Sequence, residues 1–517
     1  MSCRYPTARR ERRELLLKSK EYVPATSTDG TPCSMRNSIT KLTSITFFGV
    51  LIGRGLRYGF NVVIARGLGL DALGLFAFGT VVMKGSAVIA RMGLDSAAQK
   101  FIPIYQSESD PAKVTGVTVI SLTFPLLFGG ALAVALYLGR DLITRLTGAV
   151  IGSTVQLFLV GIPLFGAMMV GMNATRGFKE TKYSVYIRDI GQSSVGIALI
   201  AIGAFVLSDF DAVIVGYLIS LLVGVCLAVV FLSREGALQF DVRPTFEYRK
   251  ILAFSLPVSL AASVQYLVSW TDILVLGVFV PPASIGSYQA AYQTSVLLII
   301  VLQSVSSIFP AMAADLYNTG RHERLNIVYT VVTKWVTYLS VLGFALVAIY
   351  PDDILTLFGT SARSARIALV VLGLGQTLSA VVGPAGFLLI MSEHERLQMI
   401  NSVAVALLNL VFNVVLVDLY GIVGAAAATG LSLGLINILR LAEVRYLLGV
   451  QPYSWGYWKG GVAVGSTLPL MVLGRSLPLF GPLRIVVVGT GALVVFAALI
   501  RLLGFDEVDR VLIEAID

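Results

Sequence analysis

Between Val114 and Gly139 the chain carries no charged residue, and between Ala212 and Ser233 it again carries none. Runs of this kind recur along the whole sequence. Crossing a bilayer core as a helix takes about 20 apolar residues. Lipid offers the backbone no hydrogen-bond partner, so a crossing segment must be a helix or part of a closed barrel. A barrel would show alternating segments of about 10 residues, whereas these runs are continuous. Composition agrees: 56% of the residues are hydrophobic and 13% are charged, where a soluble domain carries roughly a quarter charged. There are too few charges to coat several soluble domains. An ordinary cytosolic enzyme and a disordered chain are therefore excluded, and an all-α integral membrane protein is expected.

A hydropathy window of about 19 residues places spans near 43–65, 72–93, 114–138, 153–175, 184–207, 211–233, 253–276, 284–312, 327–349, 364–391, 398–417, 421–447, 459–474 and 482–503. That is about 14 transmembrane helices by this method. Pro125, Pro163, Pro257 and Pro384 fall inside spans and mark kinks or broken turns, which neighbouring helices can accommodate. With the N-terminus inside, about 29 Lys and Arg lie on the cytoplasmic side and about 7 outside, as the positive-inside rule requires. Asp209, Asp211, Asp352, Asp353 and Asp418 fall outside. Both termini are expected in the cytoplasm, with the protein multi-pass in the plasma membrane. The basic residues are spread over many loops, which argues against nucleic acid as a partner. Tyr453, Trp455, Tyr457 and Trp458 beside Lys459 read as an interfacial aromatic belt.

Weak internal similarity runs in order at an offset of about 210 residues: 177–190 with 390–403, Phe210-Asp211-Ala212-Val213 with Tyr420-Gly421-Ile422-Val423, and Gly74-Leu75-Phe76 with Gly286-Ser287-Tyr288. The expected organisation is a basic disordered tail (1–38), a first lobe of six spans (39–235), a second lobe of six (248–450), two further spans (451–505) and a cytoplasmic tail (506–517). An even number of spans per lobe makes the repeat parallel, related by an axis along the membrane normal. Met35 is an alternative start that would remove most of the basic tail.

Conventional catalytic patterns are missing. Cys3, Cys33 and Cys226 match no zinc or disulfide framework. His322 and His394 sit in no metal or nucleophile motif, and Gly67-Leu68-Gly69 lacks the third glycine of a dinucleotide loop. No cofactor and no metal are expected.

Charge inside the spans is the informative part. Arg54, Arg57 and Asn61 share one helix face, and Lys84 and Arg91 share another. Each charge at the bilayer centre costs about 2.5–3.5 kcal/mol on insertion scales, so these side chains should meet water, partners or an anion. Arg91 also has a local option, Asp95 one turn on. Few acids lie at matching depth, so no fixed counter-ion is expected, and a phosphate or pyrophosphate gripped by Arg is the favoured ligand. In the second half, Gln265, Ser269 and Asp272 form one stripe and Tyr288 and Tyr292 another, with Gln289 and Gln293 beside it. Such groups suit the hydroxyls of a sugar and serve equally as interhelical hydrogen bonds. The latter reading is favoured for Asn409 and Asn413.

Three motifs carry a resemblance. Ala65-Arg66-Gly67-Leu68-Gly69 is followed by Gly74-Leu75-Phe76. Thr271 to Gly277 is followed by Ile285-Gly286-Ser287-Tyr288-Gln289-Ala290-Ala291-Tyr292. Leu408-Asn409-Leu410-Val411-Phe412-Asn413 is followed by Tyr420-Gly421-Ile422-Val423-Gly424-Ala425-Ala426. Over about residues 36–505 the chain resembles the Wzx-type oligosaccharide flippases of the MATE/oligosaccharidyl-lipid/polysaccharide exporter superfamily. The resemblance implies a V-shaped transporter of two six-helix lobes that moves a polyprenyl-(pyro)phosphate-linked oligosaccharide outward by alternating access, as a monomer among membrane lipids and with no covalent chemistry. It implies a phosphate site at Arg54, Arg57, Lys84 and Arg91, and a sugar-facing lining of Asn61, Gln265, Ser269, Tyr288, Tyr292 and Gln293. Asp272 matches a motif position and is open to coupling an ion, Na+ or H+, or to a structural role; the structural one is favoured. Two alternatives stand: a MATE-like cation-coupled exporter, which calls for buried acids in the first lobe, and a membrane glycosyltransferase or polymerase, which calls for an acidic catalytic constellation.

Overall fold

The computed structural model describes residues 32–141, 156–238, 241–306, 309–504 and 509, with side chains from residue 49 onward. The chain divides into two compact units, Met1–Thr46 and Phe47–Asp517. Of the first, only helix from Pro32 on is described, so helix occupies the last residues assigned by sequence to a disordered tail. Residues 1–31 lie outside the described residues, as does the question of a start at Met35.

Among the described residues there is no strand. The longer helices, in chain order, are α1 (Pro32–Ala90), α2 (Leu94–Ser107), α3 (Pro111–Leu138), α4 (Phe158–Gly177), α5 (Thr181–Leu207), α6 (Phe210–Arg234), α7 (Tyr248–Ser269), α8 (Thr271–Phe279), α9 (Pro282–Val305), α10 (Phe309–Asn318), α11 (His322–Ile349), α12 (Thr360–Val382), α13 (Glu395–Leu448), α14 (Tyr457–Leu473) and α15 (Gly481–Leu503). Among the described residues eleven are long and apolar enough to cross a membrane, against the about fourteen expected. The gap has two causes. The 17-residue α14 is short, and two helices are far too long for one crossing. The apolar part of α1, Gly49–Ala90, has 42 residues; straight, it would run about 63 Å at 1.5 Å per residue, twice a hydrocarbon core. It bends at Gly69 (φ 88°, ψ 179°), and the 54-residue α13 bends at Gly421 (φ 56°, ψ −131°). Both are positive-φ conformations that a Cβ disfavours.

One apolar core draws on both halves of the sequence. It joins Phe60, Ile64, Leu73 and Phe76 of α1 to Ile273, Tyr288, Leu369 and Val417. At its edge α1 and α9 meet backbone to backbone. A Cβ on Gly74 would lie 1.9 Å from the Pro282 carbonyl oxygen, and a Cβ on Gly286 would lie 2.0 Å from that of Leu70. Leu70 and Pro282 stand to each other in sequence as Gly74 and Gly286 do, so the contact is self-complementary, as a two-fold axis requires. These are the glycines that the internal similarity aligns.

The segment before α7 is pinned to α3. Thr245 donates its N–H to the Ala112 carbonyl at 3.0 Å, and only glycine fits at Gly116, where a Cβ would lie 2.0 Å from the Thr245 carbonyl oxygen. Tyr105 donates to Glu247, which holds that carboxyl below its ordinary value, with Lys250 adding to the effect. A separate cluster, with Leu342, Val464, Val488 and Phe496, packs α14 and α15 against α11. Asp509, in the segment expected as a cytoplasmic tail, is buried in an ion pair with Lys334 at 2.7 Å and accepts from Trp335 Nε1 at 3.1 Å.

Candidate functional site

A cavity of about 360 Å³ opens beside the centre of α1. Arg54, Arg57, Phe60 and Asn61 come from before the Gly69 bend and Phe76, Thr80, Val81 and Lys84 from after it. The two limbs of one bent helix therefore bring the expected cations to one place. α4 contributes Phe165, Met168 and Met169, α5 contributes Arg188 and Gln192, and α6 contributes Tyr217. The second half supplies Trp270, Gln289 and Gln293. Residues Val185–Gln192 of α5 form a π-helix, a local widening found often at functional sites.

Four cations line the cavity: Arg54, Arg57, Lys84 and Arg188. A counter-ion is present, contrary to expectation. Asp189 is buried, and its Oδ1 accepts from Arg57 Nη1 at 2.9 Å and from Arg188 Nε at 3.3 Å. Arg54 donates to Gln303 Oε1 of α9. Among the described residues no acid pairs with Lys84, whose Nζ lies 6.0 Å from the Phe165 ring centroid. One carboxylate thus faces four cations, and the cavity keeps a formal excess of positive charge.

The polar groups of the other wall are amides. Asn61 donates through Nδ2 to the Arg57 carbonyl at 2.8 Å and accepts at Oδ1 from Gln289 Nε2 at 3.2 Å. Gln289 Oε1 is buried with no hydrogen-bond partner among the described residues. Tyr58 of α1 shares a hydrogen bond with Thr294 of α9 at 3.1 Å.

Several expected site residues lie elsewhere. Arg91 is buried away from the cavity and pairs with Asp95 at 3.1 Å, the local alternative one turn on. Gln265 and Ser269 are exposed on α7 and bond to each other at 3.3 Å. Tyr288 is fully buried and donates to Asp272 Oδ2 at 2.5 Å, while Asp272 Oδ1 accepts the Ile273 N–H at 2.9 Å. Tyr292 stacks on Tyr288 with 6.2 Å between ring centroids and packs against Trp270. Of the expected sugar-facing set, only Asn61 and Gln293 line the cavity. Asn409 bonds Ser432 at 3.2 Å and Asn413 reaches back to Asn409, so both act between and within helices.

Sequence reasoning missed Arg188, Asp189 and Gln192. Arg188 is one of the about 29 basic residues that the sequence places on the cytoplasmic side, although it falls inside the span expected at 184–207. The signal available was an adjacent Arg-Asp pair within an apolar run.

Comparison with known proteins places this geometry. Residues 39–314 match the model of a family described as polysaccharide biosynthesis protein, and residues 257–415 match the MatE model. The chain is 25% identical over 433 residues to the probable low-salt glycan biosynthesis flippase Agl15 of Haloferax volcanii, covering 82% of this chain and 86% of that protein. It superimposes on the lipid II flippase MurJ, inward closed conformation, with a TM-score of 0.67 at 16% identity, covering 89% of this chain and 98% of that one. An inward-facing multidrug resistance MATE family transporter of the MOP superfamily gives a TM-score of 0.61 at 17% identity, over 76% and 94%. At these identities the two structures establish the fold alone.

Proposed function

The chain belongs to the polysaccharide biosynthesis protein family, and on that premise we propose that it is a flippase for a lipid-linked oligosaccharide, binding the anionic headgroup in the cationic cavity. The observation that carries this reading is the cavity wall itself, lined by Arg54, Arg57, Lys84 and Arg188, with Asp189 behind it as the one carboxylate paired to them among the described residues. An uncompensated charge inside a membrane protein is expensive and marks a path or a ligand. A phosphate or pyrophosphate meets the need, because guanidinium forks grip its oxygens in pairs and an ammonium adds a point charge. The amides of Asn61, Gln289 and Gln293 suit sugar hydroxyls. The lipid tail would stay in the bilayer while the headgroup passes through the cavity. Movement by alternating access, from the cytoplasmic to the outer leaflet of the plasma membrane with both termini inside, completes the reading. It requires no covalent step.

Export of cations, the rival on the same fold, calls for an acid available to the substrate. Asp189 is committed to two arginines, which favours the anion. Replacing Arg54→Ala and Arg57→Ala together in cells that depend on the protein for a surface glycan should remove the glycan while the lipid-linked precursor accumulates. Normal surface glycan at normal protein level would overturn the role given to the cavity.

A further inference from the structure

Asp189 is built into the cation cluster without lining the cavity. Its side chain is only 3% exposed. α1 crosses directly over it at Gly53, where a Cβ would lie 2.5 Å from the Asp189 Cβ and 2.7 Å from its Cα. The carboxylate is thus buried where α1 closely approaches the π-helical turn of α5. It engages only part of each guanidinium. Arg57 spends Nη1 on Asp189 and, at 3.4 Å, on Ser193 Oγ; Arg188 spends Nε on Asp189. Both side chains remain about one-third exposed, and both line the cavity. Among the described residues no other acceptor meets Arg188 Nη1 or Nη2, or Arg57 Nη2.

From this arrangement we propose that Asp189 is a resident counter-ion that competes with the anionic headgroup for Arg57 and Arg188, and so sets how readily the headgroup is released. This inference rests on the flippase reading of the same cavity. A transporter gains nothing from binding its cargo too tightly, since energy spent equally on loading and on passage slows departure. Four cations with no acid nearby would make a trap. One fixed carboxylate behind two of them leaves donors to recognise a phosphate and supplies a negative charge that takes the guanidiniums back when the cargo leaves. The effect is electrostatic and acts over a few ångströms, where screening by salt is weak. Asp189 is therefore a positioning residue that acts through the arginines.

The test uses the full chain in detergent, with inorganic pyrophosphate as the probe and calorimetry as the readout, alongside surface-glycan export in cells. Asp189→Asn should bind pyrophosphate about tenfold more tightly than the wild type, from loss of one nearby unit charge, yet export more slowly. A purely structural residue would not raise affinity when replaced. Because Asp189→Asn leaves both Arg57 and Arg188 without their acid and lowers the stability of the cluster, the same change is also made on an Arg188→Gln background, where only Arg57 is left without its partner. There too Asp189→Asn should recover affinity. No gain on either background overturns the proposal. If the wild type binds pyrophosphate and Arg54→Ala weakens that binding, the cationic site stands even when Asp189 fails the test. If the wild type binds none, both fall.

Discussion

Asp189 and Asp272 are both buried carboxylates, and they are satisfied in opposite ways. Asp189 lies behind a wall of four cations and is matched by charge. Asp272 is matched by hydrogen bonds alone, from the Tyr288 hydroxyl and the Ile273 N–H, and no cation lies among the contacts described for it. One neighbourhood is left with more charge than it can neutralise and opens into a cavity. The other closes on itself within the apolar core that holds α8, α9 and α13 together. The difference teaches where to look for function in a chain of this kind. A buried ion whose partners are all internal belongs to the fold, whereas an excess of one sign facing a cavity needs something from outside.

The comparison can be broken from either side, and the largest effect is expected at the cavity. Lys84→Glu removes a cation and adds a carboxylate, which cuts the formal excess from three charges to one; export should fall by about 100-fold or more, as repulsion replaces a contact with the anion in a low-dielectric site. Surface glycan measured against protein level checks this, and retained export would remove Lys84 from the path. Next in size is Asp272→Ala, which takes the acceptor of the Tyr288 O–H away in a fully buried position. It should lower stability by about 1–3 kcal/mol, the cost of an unpaired buried group, with export per folded molecule retained. The contrast is Asp272→Asn, which keeps an acceptor and should cost less. Loss of export in the Asn variant at full stability would give Asp272 a part in ion coupling.

Smaller effects are expected from residues that the cavity leaves out. Arg91→Gln breaks a pair with Asp95 that is mostly shielded; it should cost on the order of 1 kcal/mol in stability and leave export within about twofold. Gln265→Ala and Ser269→Ala act on an exposed face of α7 and should change neither quantity measurably. A strong export defect in either would extend the site onto α7.

What was legible follows from physics that acts locally. Membrane crossing depends on hydropathy summed over a window, so the spans ending at Leu138, Leu207 and Leu503 are readable to within a few residues. The cations of α1 are equally legible, because Arg54, Arg57 and Lys84 interrupt runs where any charge is costly. Their convergence was not legible, since it depends on the bend at Gly69 that lets both limbs of α1 line one cavity. Arg188 was hidden because a basic residue near the start of a span looks like a loop residue. Asp189 was hidden with it, and the π-helix that turns both toward α1 leaves no mark in apolar periodicity. The stripes of α7 and α9 misled for a related reason. Periodicity shows that Gln265 and Ser269 share a face, but only packing decides whether that face meets a cavity, a neighbour or the outside.

The most direct measurement is made in reconstituted vesicles. A short glycan is attached either to a polyprenyl diphosphate or to an uncharged lipid of the same length, and movement between leaflets is followed for each. If the cations of Arg54, Arg57, Lys84 and Arg188 hold the headgroup, the purified protein moves the diphosphate-linked lipid far faster than the uncharged one, and Arg54→Gln with Lys84→Gln abolishes the difference. Equal rates for the two lipids in the wild type would contradict it.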